Sequence, residues 1–376
     1  MNFEKRKSFG RSVKDILCTQ FCIQFYCLVI VVILSSCSSN IVMKSESQQD
    51  IGSDFNTKYS LVFVIHGDGD YLYHDTSNNE YTADKVTLIN AKKAALENPN
   101  AEVFIFHQKP RTNFLFFFPR KDGEFYYYRK GQLIANESYW RDQEKSNFDT
   151  EAAYYNRFHV LNQNKLIKMF LYFGHEIPEF GGAGYDESCP DRTFSIDDLA
   201  MGMKELTNDS SMFDLTILST CFGGTPYTIS KLGSFSKTII ASPENLHLSY
   251  FDISALERLD VELKDGDVPA FANRFAQQSF DQLTRNIQTE VSVVVYDVEK
   301  VQKFLNSIKD DYNKTLNSLK GITQANLAEI KHCDCADIPE YQISTINSGV
   351  DVLYRAAKFG RSKNKQNHSG WECWKY

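Results

Sequence analysis

Apolar and polar positions follow two rhythms along most of this chain. The runs "LVFVI" (Leu61–Ile65), "VFIF", "LIKMFLYF", "FDLTILS" and "TIIA" are of strand length and almost unbroken, the pattern of strands covered on both faces. Between them lie segments with helical spacing. "ADKVTLINAKKAALENPN" stops at Asn-Pro-Asn, and "SIDDLAMGMKEL" sets Ile196, Leu199, Ala200, Met203 and Leu206 on one face, with Ser195 and Asp198 spaced as a capping box. Thr225-Pro226 supplies an N-cap and first-turn proline for another helix. This alternation predicts an α/β fold around a mainly parallel central sheet.

Residues 111–145 break the rhythm: "FLFFFPRKDGEFYYYRKGQLI" has an Asp-Gly turn between aromatic runs and predicts a hairpin off the sheet edge. Past about residue 256 the pattern loosens. A helical stretch at 267–284 precedes the strand "EVSVVVYDV", a second helical stretch at 298–319 and a last strand "GVDVLYRA". There is no internal repeat and no long linker. Residues 257–376 are therefore expected to complete or pack on the sheet built by residues 58–256.

The beginning of the chain reads differently. Lys5, Arg6, Lys7, Arg11 and Lys14 precede an apolar run from Phe25 to Leu34, too short for a comfortable membrane span and in the charge order of an export signal. Leu34-Ser35-Ser36-Cys37 resembles the bacterial lipobox, which implies cleavage after residue 36 and lipid on Cys37. Residues 37–57 are polar and aperiodic, as a flexible tether would be. The expected location is the cell envelope, with the membrane reached through the lipid anchor; an uncleaved anchor over 16–34 is the other reading.

Composition narrows the partners. A formal net charge of -7 over 376 residues gives no footprint for nucleic acid. Once residues 1–37 are set aside, the cysteines are Cys189, Cys221, Cys333, Cys335 and Cys373. Outside the cytoplasm an odd count leaves one thiol unpaired or pairs it between chains, which permits a reduced Cys221.

His175 and Cys221 each stand just past the carboxyl end of a predicted parallel strand, and the two strands are consecutive. Neighbouring strands lie about 4.8 Å apart, and open parallel sheets bind ligands at those ends. A thiol with a pKa near 8.5 is mostly protonated at neutral pH, so a nearby imidazole is what makes it a nucleophile and later protonates a leaving amine. Backbone N–H groups at Cys221 and in the Gly174–Glu176 loop are candidate oxyanion donors, and Gly223 and Gly224 allow a tight turn with close substrate approach.

The stretch Met169–Asp252 is similar to the clostripain family of cysteine peptidases, in the caspase–gingipain–legumain clan. The likeness is an ordered series: "LYFGHE", a glycine loop with "GYDES", the helix "FSIDDLAMGM", "FDLTILSTCFGG" and "TIIASPE". More weakly it extends over residues 58–320. It implies a caspase-like three-layer sandwich and a cysteine endopeptidase acting on peptide or protein substrates, with Cys221 as nucleophile and His175 as base and acid. No organic cofactor and no metal is implied at the catalytic pair, and calcium dependence does not follow from the residues. Two positions depart from the family: Glu176 stands where it has glycine, and Ser219 where it has the aspartate that binds a basic P1 side chain. An Arg or Lys preference is therefore not implied, and Ser219, Glu244 and Asp252 are the candidates for the specificity pocket.

Other readings compete. "CFGG" resembles the nucleophile turn of dienelactone hydrolases, but an α/β-hydrolase needs its histidine after the nucleophile, and His247, His332 and His368 have no strand-end context beside an acid. A catalytically degenerate caspase-like binding lipoprotein is the non-enzyme alternative. "HEIPE" lacks a second histidine at i+4, and Pro178 opposes the helix a zinc site needs. His332, Cys333, Cys335 and Cys373 make only a partial zinc signature, and in an exported protein the three cysteines suit disulfides better. The turn "HGDGD" offers His66, Asp68 and Asp70 for a metal, though an acidic strand-end turn is more often a polar loop.

Overall fold

The computed structural model describes residues 57–68, 72–74, 80–115, 117–141, 148–159, 166–177, 183–184, 193–207, 211–246, 250–303, 305–306, 349–360 and 363. All fall in the unit Asn56–Tyr376. Residues 1–56, with the signal, Cys37 and nearly all of the tether, and Asp70, Pro178, Cys189, His247, His332, Cys333, Cys335, His368 and Cys373 lie outside the described residues.

Nine strands form the central sheet: β1 (Tyr59–His66), β2 (Ala101–Gln108), β3 (Gly123–Arg129), β4 (Gln132–Tyr139), β5 (Ile167–Phe173), β6 (Phe213–Ser219), β7 (Ser236–Ala241), β8 (Val291–Asp297) and β9 (Val350–Arg355). Their order is β9-β8-β7-β6-β5-β1-β2-β3-β4. The middle of the sheet, β7 to β2, is parallel. Both flanks run antiparallel, so β8 and β9 from the last third of the chain extend the same sheet.

The unbroken apolar strands have a direct cause. Leu61, Phe63 and Ile65 of β1 pack into one core, under α1 (Ala83–Glu97) and the later helix α5 (Val268–Asn286). Val62 and Val64 pack into the other, under α2 (Asp149–Phe158), α3 (Ile196–Leu206) and α4 (Pro226–Leu232). The result is a three-layer α/β/α sandwich in which apolar residues dominate both sides of the central strands. The capping box is present as spaced: Ser195 N–H donates to Asp198 Oδ2 at 2.8 Å, and Asp198 N–H donates to Ser195 Oγ at 3.3 Å. Thr225 caps α4, its hydroxyl accepting from Thr228 N–H at 3.2 Å.

The Asp-Gly turn is corrected. Asp122-Gly123 does not reverse the chain; the β3–β4 turn is Lys130-Gly131, where φ is +55° and +66°, both left-handed as a type I′ turn demands. Gly123 opens β3, and a Cβ there would come within 2.4 Å of the Tyr139 ring. Its glycine makes room for a cross-strand neighbour. The first aromatic run makes a small hairpin of its own, Asn113–Phe114 against Phe118–Pro119.

Candidate active site

The parallel strands leave the β1–β5 boundary in opposite directions. β1 crosses through α1 on one face to β2, while β5 crosses through α3 on the other face to β6. Such a switch point opens a crevice at the carboxyl ends of its strands. Asp68 stands two residues past β1, His175 two past β5 and Cys221 two past β6.

Pairing fixes their proximity. Phe173 is the Cα partner of both Ile65 and Ser219, so Asp68, His175 and Cys221 continue adjacent strands onto one rim. Gly174 N–H donates to Ser219 O at 3.4 Å, and the Thr220 hydroxyl donates to the His175 carbonyl, which ties the residue before the thiol to the loop that carries the imidazole. A Cβ on Gly174 would come within 2.5 Å of Tyr172 Oη, so this approach needs glycine.

The His175 ring is 39% exposed and its Nε2 lies 2.7 Å from Oδ2 of Asp68, whose side chain is 4% exposed. One end of the imidazole is thus anchored to a buried carboxylate while the ring stands at the surface. This partner was missed in the sequence, where "HGDGD" read as a polar turn. The available signal was its place: an acid just past the strand that neighbours the histidine's strand.

Cys221 is a half-buried reduced thiol. Its Sγ donates to Asn245 Oδ1 at 3.2 Å and accepts from the backbone N–H of Leu246 at 3.3 Å. Asn245 and Leu246 follow β7 in the loop beyond the next strand, and no motif marks them. The residue after the thiol, Phe222, has φ +50°. A bulky residue held there costs about 1–3 kcal/mol and persists only where its surroundings impose it. They do: Phe222 N–H donates to Glu244 O at 3.2 Å and Gly224 N–H to Ser242 O at 3.0 Å, stapling the turn to the β7 loop.

The other candidates are placed as follows. The N–H groups of Gly174 and Gly224 are engaged in backbone bonds, to Ser219 O and Ser242 O. A Cβ on Gly224 would come within 2.6 Å of Tyr296 Oη; packing, more than substrate approach, excludes a side chain there. Gly223 is less constrained, since a Cβ there would stand 3.1 Å from Thr220 Cγ2. Glu176 is described on the rim next to His175. Ser219 is buried with Oγ accepting from Phe251 N–H at 3.0 Å, and Glu244 is buried with its carbonyl holding Phe222. Asp252 accepts from Gln278 Nε2 and Ser254 N–H at 2.9 Å each. Burial pushes its carboxyl up, but those hydrogen bonds outweigh it and hold the pKa below the ordinary value.

His66 and Asp68 face different neighbours, Asp68 holding His175. His66 is buried, its Nδ1 3.1 Å from Tyr172 Oη and its ring edge-on to Tyr172 and Phe194. Among the described residues there is no group of three His, Cys, Asp or Glu side chains able to hold a metal.

A second histidine–carboxylate pair lies beneath this rim. His107 on β2 and Asp84 at the start of α1 are 3% and 2% exposed, with Nε2 and Oδ2 2.8 Å apart, and Glu124 approaches Nδ1 at 3.7 Å. Asp84 also fills the space above Gly67, where a Cβ would come within 2.7 Å of its Oδ2. The pair therefore supports the turn that aims Asp68. Burial alone would lower the pKa of His107 and raise that of Asp84, but Asp84 and Glu124 together raise His107, and contact with His107, helped by Thr82 and the Lys85 backbone, lowers Asp84. The His107 contribution is complete below its ordinary value of 6.5 and is lost as pH rises through its raised pKa. The Asp84 contribution is complete above its ordinary 3.8 and is lost as pH falls through its lowered pKa. His107→Gln is expected to cost about 3 kcal/mol of unfolding free energy between those two values, because it leaves the buried Asp84 carboxylate without its cationic partner. The difference should shrink at both extremes; urea denaturation across pH measures it, and a pH-independent difference contradicts the pairing.

No family model and no curated protein matches the chain. Solved structures do show a distant likeness. One is a secreted C11 cysteine protease from Bacteroides thetaiotaomicron, "iotapain", with 10% identity over 69% of this chain and 71% of that one at a TM-score of 0.47. A structure of a secreted C11 cysteine protease from the same organism with an irreversible peptide inhibitor has 12% identity over 68% and 69%, TM-score 0.46. An inactive zymogen C11 protease from Parabacteroides distasonis has 12% identity over 80% and 75%, TM-score 0.45. Likeness at that distance says nothing about the chemistry of this chain, which comes from its own residues.

Proposed function

We propose that this protein is a cysteine endopeptidase that hydrolyses peptide bonds with Cys221 as nucleophile and His175 as proton carrier, positioned by Asp68. The observation that carries the reading is the shared rim. His175 is anchored through Nε2 to a buried carboxylate, its carbonyl is bonded to the residue before the thiol, and the sulfur accepts a backbone N–H. The similarity of Met169–Asp252 to the clostripain family supports it.

The chemistry follows from the residues. With Asp68 on Nε2, proton exchange falls to Nδ1, which takes the thiol proton as Sγ attacks the scissile carbonyl carbon. The tetrahedral oxyanion collapses, the C–N bond breaks, and the imidazolium protonates the departing amine. A thioester on Cys221 remains. His175 then removes a proton from water, the resulting hydroxide attacks the thioester, and the carboxylic product leaves as the proton returns to sulfur. The α/β-hydrolase reading is disfavoured because the paired histidine precedes the nucleophile in the chain.

The basic, apolar and lipobox-like order of residues 1–37 supports export with a lipid anchor at Cys37, so the expected substrates are peptides or proteins met at the cell envelope. The P1 preference is not that of a basic-residue peptidase by way of position 219, since Ser219 is buried and holds Phe251. The test is a peptide library offered to the purified chain before and after iodoacetamide, with the modified residue mapped by mass spectrometry. Cleavage that stops as Cys221 is alkylated is expected. An inert Cys221 and an uncut library would establish the binding lipoprotein instead.

A further inference from the structure

The small hairpin between β2 and β3 presents its apolar side chains to water. Leu115 is 63% exposed, Phe117 83% and Phe118 62%. Soluble proteins rarely leave large apolar side chains clustered in this way, and such patches mark binding surfaces. Its position in the fold does not call for aromatics, because the hairpin contributes to neither core.

The charge around the tip is the second observation. The chain has a net charge of -7, yet from Val103 to Lys121 there is no Asp or Glu, and "KPRTNFLFFFPRK" puts two basic residues on each side of the apolar run. Lys109 is paired with Glu124 at 2.7 Å. The Arg120 guanidinium lies over the Phe114 ring, 5.3 Å from its centre, so a cation stands on the flank of the hairpin. Trp140, 47% exposed, follows β4 at the end where Tyr139 faces Gly123, beside the base of the hairpin. An apolar tip behind a basic collar, with an aromatic at its base, matches the layers of a bilayer surface: hydrocarbon, interface and anionic headgroups.

We propose that the 113–119 hairpin inserts into the outer layer of a membrane bearing anionic phospholipid, with Leu115, Phe117 and Phe118 among the acyl chains and Arg111, Arg120 and Lys121 at the phosphates. The hairpin leaves β2 at Gln108, whose carbonyl accepts Gly67 N–H at 2.7 Å, so it stands on the same rim as Asp68 and His175. Docking holds that rim at the headgroups, which favours substrates tethered to the same surface. The attachment is separate from lipid on Cys37 and adds to it, as two weak membrane contacts do.

A tryptophan at the tip tests this. Full-length protein carrying Cys37→Ser and Phe117→Trp is titrated with phosphatidylglycerol vesicles and with phosphatidylcholine vesicles, its emission read as a difference from the Cys37→Ser protein. On phosphatidylglycerol, a blue shift and quenching by brominated acyl chains are expected, weakened by salt. In the Cys37→Ser background, Phe117→Ser with Phe118→Ser should lower vesicle partitioning at least ~10-fold, by loss of apolar burial. Arg111→Glu with Arg120→Glu should do so on phosphatidylglycerol alone. Cleavage of soluble peptides should be unchanged by either pair. A tip tryptophan that keeps its aqueous emission on phosphatidylglycerol overturns the proposal. So does one that shifts without lipid as protein concentration rises, since a second copy would then be its occupant.

Discussion

Cys221→Ala is expected to lower peptide cleavage by roughly 10⁴-fold or more, leaving only what oxyanion stabilisation and substrate binding supply without a nucleophile. In the proposed mechanism the sulfur is the atom that forms the covalent intermediate, so the loss should fall on kcat. Folding should barely change. The side chain is half-buried, and its removal leaves Asn245 Oδ1 and Leu246 N–H to water, a cost of about 1 kcal/mol. Kinetics on a library-derived peptide and urea midpoints separate the two effects. A variant that keeps cleaving removes the mechanism.

Asp68→Asn is expected to reduce kcat by roughly 10²–10⁴-fold with KM changed only a few-fold, the pattern of an acid that orients a histidine. The substitution sets a neutral amide against Nε2 in place of an anion. The ring then loses the partner that fixes its tautomer and stabilises the imidazolium formed as sulfur attacks. Since Asp68 is buried and its turn is held by Gly67 N–H on Gln108, the carboxylate has little freedom to be replaced by water. Asp68→Glu should recover part of the rate, because charge returns though geometry is imperfect. A merely structural role would lower stability and leave kcat per folded molecule intact, so activity is normalised to folded protein. Full activity in Asp68→Asn would dismiss the third residue and leave a Cys/His dyad.

Most of the sheet was legible because its signal is local. A strand covered on both faces is mostly apolar, and "LVFVI", "FLYF" and "LTILS" fit that pattern, with Thr216 and Ser219 the polar members of the last; Ser195 and Asp198 are close enough in sequence to form their cap with no help from the rest of the chain. The rim positions of His175 and Cys221 were legible for the same reason, each following its strand by two residues. The turn at Lys130-Gly131 was not. Asp122-Gly123 carries the stronger turn signal, but its glycine answers to the Tyr139 ring, a neighbour 16 residues away that meets it only across a formed hairpin.

The amino-acid sequence by itself determined the α/β alternation, the parallel strands, the helix caps and the placing of His175 and Cys221 just past strand ends. Tertiary structure alone decided that β1 lies beside β5, and hence that the carboxylate of Asp68, 107 positions from His175, is the one that grips its ring. It also decided that Asn245 and Leu246 meet the sulfur, that Ser219 is enclosed under Phe251 and that the 113–119 tip has no core to enter. The reason is physical. Helical and strand periodicity are written in spacings of two to four residues, whereas strand order is set by which faces bury the most apolar surface together, a property of the assembled layers that no short segment carries.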